Sequence, residues 1–232
     1  MEITPNIHLI PGMRGANTYL LLGSTPTLVD TGMPGSVDTI LGYLEELGFS
    51  ADDLSRIVIT HHHLDHMGSL AELKRRTAAQ VLAHPGDAGI ISGEQAPPPA
   101  SSPFMRFFFR LLTPLMPAPE PVPVDLTIRD GDHLDLGDPL GSATVVHVPG
   151  HTPGCIALYL PSRRLLICGD TIDHRRGRPG PPPKAFTENM DQALASIRLM
   201  AGLDFGVLCP GHGAPIASGA AQQVRAMVQA LD

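Results

Sequence analysis

Apolar residues along the first third of the chain change their period. Short runs at residues 7–10, 18–22 and 27–30 are rich in aliphatic side chains and separated by Gly, Pro and Ser, the pattern of strands joined by tight turns. The period then lengthens. Val37, Ile40, Leu41, Leu44 and Leu47 recur at three- and four-residue spacing, which predicts a helix with one apolar face, capped by Ser36 and ended at Gly48. RIVIT (56–60) reads as a short buried strand, SLAELKRRT (69–77) as a helix and AQVLAHP (79–85) as another strand.

Residues 92–125 break this rhythm. Two proline-rich stretches flank FMRFFFRLL, in which Phe104, Phe107, Phe108, Leu111, Leu112 and Leu115 share one helical face. This segment reads as an inserted arm within a single domain spanning residues 1–232. Its helix is placed either as a wall of a substrate pocket, through Phe104, Phe107 and Phe108, or as a packing or homodimer contact. Strand patterns then resume: 126–137 as a hairpin, then 143–151, 155–161 and 165–171. A helix over about 191–203 leads to a strand at 206–213 and a last helix at 220–231. The second half repeats the plan of the first, which predicts two packed sheets with helices outside.

Composition narrows the function classes. The 43% hydrophobic and 17% charged residues suit a globular protein. No run approaches the length of a membrane span, and the N-terminus lacks the pattern of a signal peptide, so no membrane role and a cytoplasmic location are expected. The formal net charge of −7 argues against nucleic acid as a partner. Three widely spaced cysteines, Cys155, Cys168 and Cys209, suit buried thiols better than a disulfide framework.

The histidines carry the chemistry. Four of the 11 fall in ITHHHLDHMG, residues 59–68. Other predicted strand ends supply His151, Asp170 and His212, each beside a glycine. Side chains alternate in extended chain, so His61 and His63 point the same way and His62 the other, toward a supporting role. Three imidazoles, His61, His63 and His151, suit one metal with an open position. Asp65, His66 and His212 suit a second, and the Asp170 carboxylate can bridge them. Imidazole with carboxylate suits two divalent ions, zinc first, with iron or manganese accepted by the same donors. Isolated histidines such as His8, His84, His133, His147 and His174 read as structural.

These motifs resemble the metallo-β-lactamase-fold hydrolase superfamily. Its T-H-x-H-x-D-H stands here as Thr60, His61, His63, Asp65 and His66, P-G-H-T-P-G as residues 149–154, G-D-T as 169–171, G-H-G as 211–213, and T-x-V-D-T-G as 27–32. The resemblance covers about residues 7–230. It implies an α/β (α+β) fold, a four-layer αββα sandwich with the metals at one edge. It also implies that Asp30 supports the site without binding metal.

The ligand set selects among branches. The redox diiron branch carries Glu where His63 stands, and classical zinc β-lactamases carry Cys where Asp170 stands. The bridging Asp170 instead points to glyoxalase II-like and lactonase-like hydrolases of a small ester, thioester or lactone substrate, one with an apolar acyl part if the arm lines the pocket. A metal-bridging hydroxide would attack, and Asp65 would assist proton transfer. A mononuclear iron persulfide dioxygenase, a phosphodiesterase and a β-lactamase are the alternatives. The lactonase tyrosine after the bridging Asp is missing; Asp173 and His174 stand there as pocket candidates. Arg175, Arg176, Arg178 and Lys184 read as solvated surface.

Overall fold

The computed structural model describes residues 1–98 and 119–231. Among the described residues, twelve strands form two sheets. The first contains β1 (Glu2–Thr4), β2 (Ile7–Leu9), β3 (Tyr19–Leu21), β4 (Thr27–Val29), β5 (Arg56–Val58), β6 (Gln80–Ala83) and β7 (Leu126–Thr127), in that spatial order. Strands β1 to β4 are antiparallel, and β4 to β7 are parallel. The second has the order β12-β11-β10-β9-β8, with β8 (His133–Gly137), β9 (Gly141–His147), β10 (Ile156–Leu160), β11 (Leu165–Gly169) and β12 (Val207–Pro210). Strands β8 to β11 are antiparallel and β12 adds parallel to β11. Each half is therefore an antiparallel run followed by parallel strands reached through helices, as the repeated plan in the sequence suggests.

Strand alternation sends successive side chains into different layers. Tyr19, Leu21, Val29 and Val58 face the second sheet and meet Val145, Ile156, Leu158 and Ile167 in a core between the sheets. Their neighbours Leu20, Leu28 and Ile57 face outward against α1 (Val37–Glu46) and α3 (Leu70–Arg76), where Val37, Ile40, Leu44, Leu70 and Leu73 are buried. On the other side Leu166 and Leu208 meet α5 (Met190–Ala201) and α6 (Ala220–Gln229) through Ile197, Met200 and Val224. Both sheets are covered on both faces, which is why their strands read as near-continuous apolar runs. The result is the four-layer αββα sandwich.

Several elements differ from the sequence reading. Residues 126–137 are not a hairpin: β7 adds to β6 in the first sheet, whereas β8 pairs with β9 in the second. Ile128 is buried between the sheets, and the turn around Gly131 carries the chain across from one to the other. Ser36 sits at the N-cap of α1 without a capping hydrogen bond, because its hydroxyl donates to the Met33 carbonyl instead. Strand β1 and helix α4 (Pro85–Ile91) have too little apolar periodicity to be read from sequence. The helix around Phe104, Phe107 and Phe108 lies outside the described residues. The arm's described end returns to the body: Val122 is buried in the outer core of the first sheet, and its N–H donates to the Ile91 carbonyl.

Candidate metal centre

Strands β4 and β5 of the first sheet run parallel, and so do β9, β11 and β12 of the second, the first of these through antiparallel β10. Their C-terminal ends deliver Asp30, His61, His151, Asp170 and His212. The sheets are tied at this edge by a hydrogen bond from Ile156 N–H to the Thr60 carbonyl, 3.0 Å. One-turn helix α2 (Leu64–Met67) turns the chain after His63, and so brings Asp65 and His66 to the same edge.

Seven side chains converge there. His61, His63 and His151 present ligand atoms within 4.8 Å of one another, as do Asp65, His66 and His212, and as do His61, His66 and Asp170. His63 Nδ1 lies 3.2 Å from His61 Nε2 and 3.0 Å from His151 Nε2. These separations approach the about 3.3 Å edge of a tetrahedron with zinc–nitrogen bonds of about 2.0–2.1 Å. Asp170 stands between the groups, its Oδ1 3.3 Å from His66 Nε2 and its Oδ2 3.5 Å from His151 Nε2 and 3.4 Å from His212 Nε2. His212 Nε2 is also 3.1 Å from Asp65 Oδ2. His66 Nε2 and Asp170 Oδ1 are both buried and neither takes part in a hydrogen bond. Orphaned buried polar atoms are uncommon, and nitrogen and oxygen atoms turned on one small volume are what a cation can take up once it has displaced their protons. The donors fit two ions.

The remaining ring nitrogens are fixed by hydroxyls and a carboxylate. Asp30, buried at the end of β4, accepts from Thr60 N–H and Thr60 Oγ1, both at 2.8 Å, and lies 2.7 Å from His66 Nδ1. Thr60 Oγ1 donates to Asp30 and so accepts from His61 Nδ1–H at 3.1 Å. Thr187 Oγ1 donates to the Pro183 carbonyl and so accepts from His151 Nδ1–H at 3.3 Å. Each arrangement seats a proton on Nδ1 and turns Nε2 inward, as a free lone pair in the neutral rings of His61 and His151 and, in His66, as one freed when the ring's second proton leaves.

Electrostatics separate the two groups. Burial, then repulsion among the rings, holds His61 well below its ordinary pKa and His63 down at about 3. Burial takes His151 to about 4 against the pull of Asp170. Burial also lowers His66 and His212, but Asp30 and Asp170 outweigh it for His66, and Asp170 and Asp65 raise His212 to about 9. Burial acts upward on the carboxylates, yet His212 and His66 bring Asp65 to about 2, and His66 and His212 hold Asp170 well below the usual range. Without metal, the first group is thus three neutral imidazoles and the second a set of ion pairs. The cysteines lie in the cores, where burial pushes all three thiols up.

The group opens into a cleft of about 1230 Å³. His63, Asp65, His151, Asp170 and His212 line it, together with the apolar Met33, Leu64, Met67 and Ile90 and with Arg175, Phe186 and Glu188. Asp173 and His174 do not line it. Asp173 pairs with Arg175 at 2.7 Å, and His174 Nδ1 is hydrogen-bonded to the Ala214 carbonyl. Arg176, Arg178 and Lys184 line a separate groove. His62 faces away from the ligand group toward Asp87, yet its edge reaches the cleft wall.

Sequence reasoning missed three supports. Asn17 donates to the carbonyls of Pro210 (2.9 Å) and Gly213 (2.7 Å), and Tyr19 Oη to that of Pro210 (2.7 Å), so the loop bearing His212 is held from β3. Asp87 accepts from the loops on either side of the first group. None of the three gives a signal in a single sequence: Asn17 and Tyr19 lie at an ordinary strand region, and Asp87 reads as a surface acid. Gly211, by contrast, has an evident reason: a Cβ there would stand 2.2 Å from Asp170 Oδ1 and 2.9 Å from His66 Cε1.

Comparison with known proteins places this architecture. The chain is 30% identical over 222 residues to a probable metallo-hydrolase, YflN, of Bacillus subtilis, covering 87% of this chain and 81% of that one. It is 28% identical over 169 residues to a hydroxyacylglutathione hydrolase of Rhodospirillum rubrum, covering 73% of this chain but only 52% of that protein. A solved metallo-beta-lactamase family protein of Thermus thermophilus superposes with a TM-score of 0.74 at 25% identity, covering 99% of this chain and 80% of that one. BJP-1, a subclass B3 metallo-beta-lactamase of Bradyrhizobium japonicum, shares the fold with a TM-score of 0.72 at 24% identity, over 100% of this chain and 91% of that one. The model of the metallo-beta-lactamase superfamily matches residues 11–212, which contain all seven converging side chains, and the chain belongs to that superfamily.

Proposed function

We propose that the chain is a metal-dependent hydrolase with a dinuclear centre, acting on a small ester, thioester or lactone with an apolar portion. The observation that carries this reading is the convergence of two ligand groups, joined by Asp170, in a cleft that apolar residues also line. His61, His63 and His151 would hold the first ion, Asp65, His66 and His212 the second, and Asp170 both. Two divalent ions bound there supply Lewis acidity and a water of lowered pKa. Zinc suits these donors first, and iron or manganese also.

The chain's own residues do the rest. Asp65 lines the cleft and is held ionised at neutral pH, so it is placed to accept a proton and pass it to a leaving group. Asp30, Thr60 and Thr187 keep the ring tautomers that direct Nε2 inward. Met33, Leu64 and Ile90 offer an acyl group a surface from which water is excluded. The relatives that hydrolyse hydroxyacylglutathione make thioesters the first class to test, although the chain spans about half the length of the one compared above.

Elemental analysis followed by a panel of thioesters, lactones, esters, β-lactams and phosphodiesters on one preparation tests the proposal. Close to two metals per chain and turnover of a carbonyl substrate are expected, with Asp170→Ala losing both metal and activity. One iron per chain with oxygen uptake on persulfides would overturn it.

A further inference from the structure

His61 and His63 follow β5 of the first sheet, whereas His151 follows β9 of the second. The two loops are clamped by one carboxylate. Asp87, in the first turn of α4, is 1% exposed. Its Oδ2 accepts from His62 N–H at 2.9 Å and Thr152 Oγ1 at 2.7 Å, and its Oδ1 accepts from Gly154 N–H at 2.7 Å. His62 Nδ1 lies 3.1 Å from the same Oδ2. These partners adjoin ligands: His62 stands between His61 and His63, and Thr152 follows His151. The fit is close, because a Cβ on Gly154 would stand 2.5 Å from Asp87 Oδ1 and one on Gly86 2.9 Å from Gly154 Cα.

We propose that Asp87 is the positioning residue of the first metal site, setting the distance between the His61–His63 loop and the His151 loop so that three imidazoles meet before an ion arrives. This rests on the metal-binding reading above. Asp87 acts through residues beside the ligands, unlike Asp30, which bonds a ligand ring directly. The role calls for a carboxylate. His62 N–H, Thr152 O–H and Gly154 N–H all donate to it, so an asparagine in either orientation would set its NH₂ against at least one of them. A site built from two sheets has no local chain geometry to hold its ligands, and small displacements of such ligands are costly.

The test separates the two sites. In chain carrying His212→Ala, zinc affinity measured by chelator competition reports the first site; in chain carrying His63→Ala it reports the second. Adding Asp87→Asn to the His212→Ala chain should weaken zinc about 10–100-fold, the usual effect of losing a group that orients ligands. Adding it to the His63→Ala chain should change affinity by less than about threefold, as expected for an independent site. Thr152→Val, which removes one of the clamping bonds at nearly constant volume, should show a smaller loss with the same preference, and it carries the test if Asp87→Asn does not fold. Equal losses in both backgrounds, or none in the His212→Ala chain, would overturn the positioning role. A folded His212→Ala chain that takes up no zinc would instead overturn the metal-binding reading, and this proposal with it.

Discussion

Loading the metal-free protein should release protons from one site and not from the other. Around the first group, burial and mutual repulsion keep all three imidazoles neutral, His63 down to about pH 3 and His151 to about pH 4. An ion bound there displaces no proton at pH 7. Around the second, His66 is held well above its ordinary pKa and His212 at about 9, so both rings are protonated at pH 7. An ion must displace a proton from each. For His212 alone, two pH units below its pKa, the competition costs about a hundredfold in apparent affinity, at tenfold per unit. Second-site affinity should therefore climb steeply between pH 6 and 8, while first-site affinity stays level. The linkage has a counterpart in stability. A pKa raised by folding stabilises fully below the ordinary value near 6.5, so the His212 contribution in metal-free protein is lost as pH rises through about 9. Calorimetric titration in two buffers of different ionisation enthalpy counts the protons directly. About two from the rings should accompany the second ion and none the first, with one more wherever a water between the ions ionises. Equal release for both ions, or a second-site affinity independent of pH, would refute the assignment of charge.

Three further predictions follow from the packing. Gly211→Ala would drive a Cβ to 2.2 Å from Asp170 Oδ1, so metal content should drop while the fold, followed by circular dichroism, persists. Leu158→Ala, in the core between the sheets, should lower stability by about 2–5 kcal/mol in denaturant titrations and leave the zinc affinity of the folded chain unchanged. Ile90→Ala with Leu64→Ala should raise KM for long acyl substrates roughly tenfold and leave that for acetyl substrates nearly unchanged; equal losses on both would remove these apolar residues from substrate binding.

Local pattern determined much of this protein. Strand β5 leading into Thr60 and His61, the helical face of Val37, Ile40 and Leu44, and the continuous apolar runs of β10 and β11 follow from period and composition, because burial on a helix face or on both faces of a sheet demands them. The converging residues were legible for the same reason: chemistry that calls for metal donors restricts residue type and spacing within one loop, as in His61-x-His63-x-Asp65-His66. What tertiary structure decided was partnership. Whether β7 pairs with β8 or crosses to β6 depends on which sheet offers an open edge, and nothing in residues 126–137 encodes that edge. Asp87 looks like a surface acid at a helix start until folding closes His62, Thr152 and Gly154 around it. Asn17 and Tyr19 acquire their role only when the loop after β12 arrives nearly two hundred residues later in the chain. Sequence specifies the donors, since their chemistry is intrinsic to the side chain. Only the fold specifies which donors meet and what holds them still, since those are distances between segments far apart along the chain.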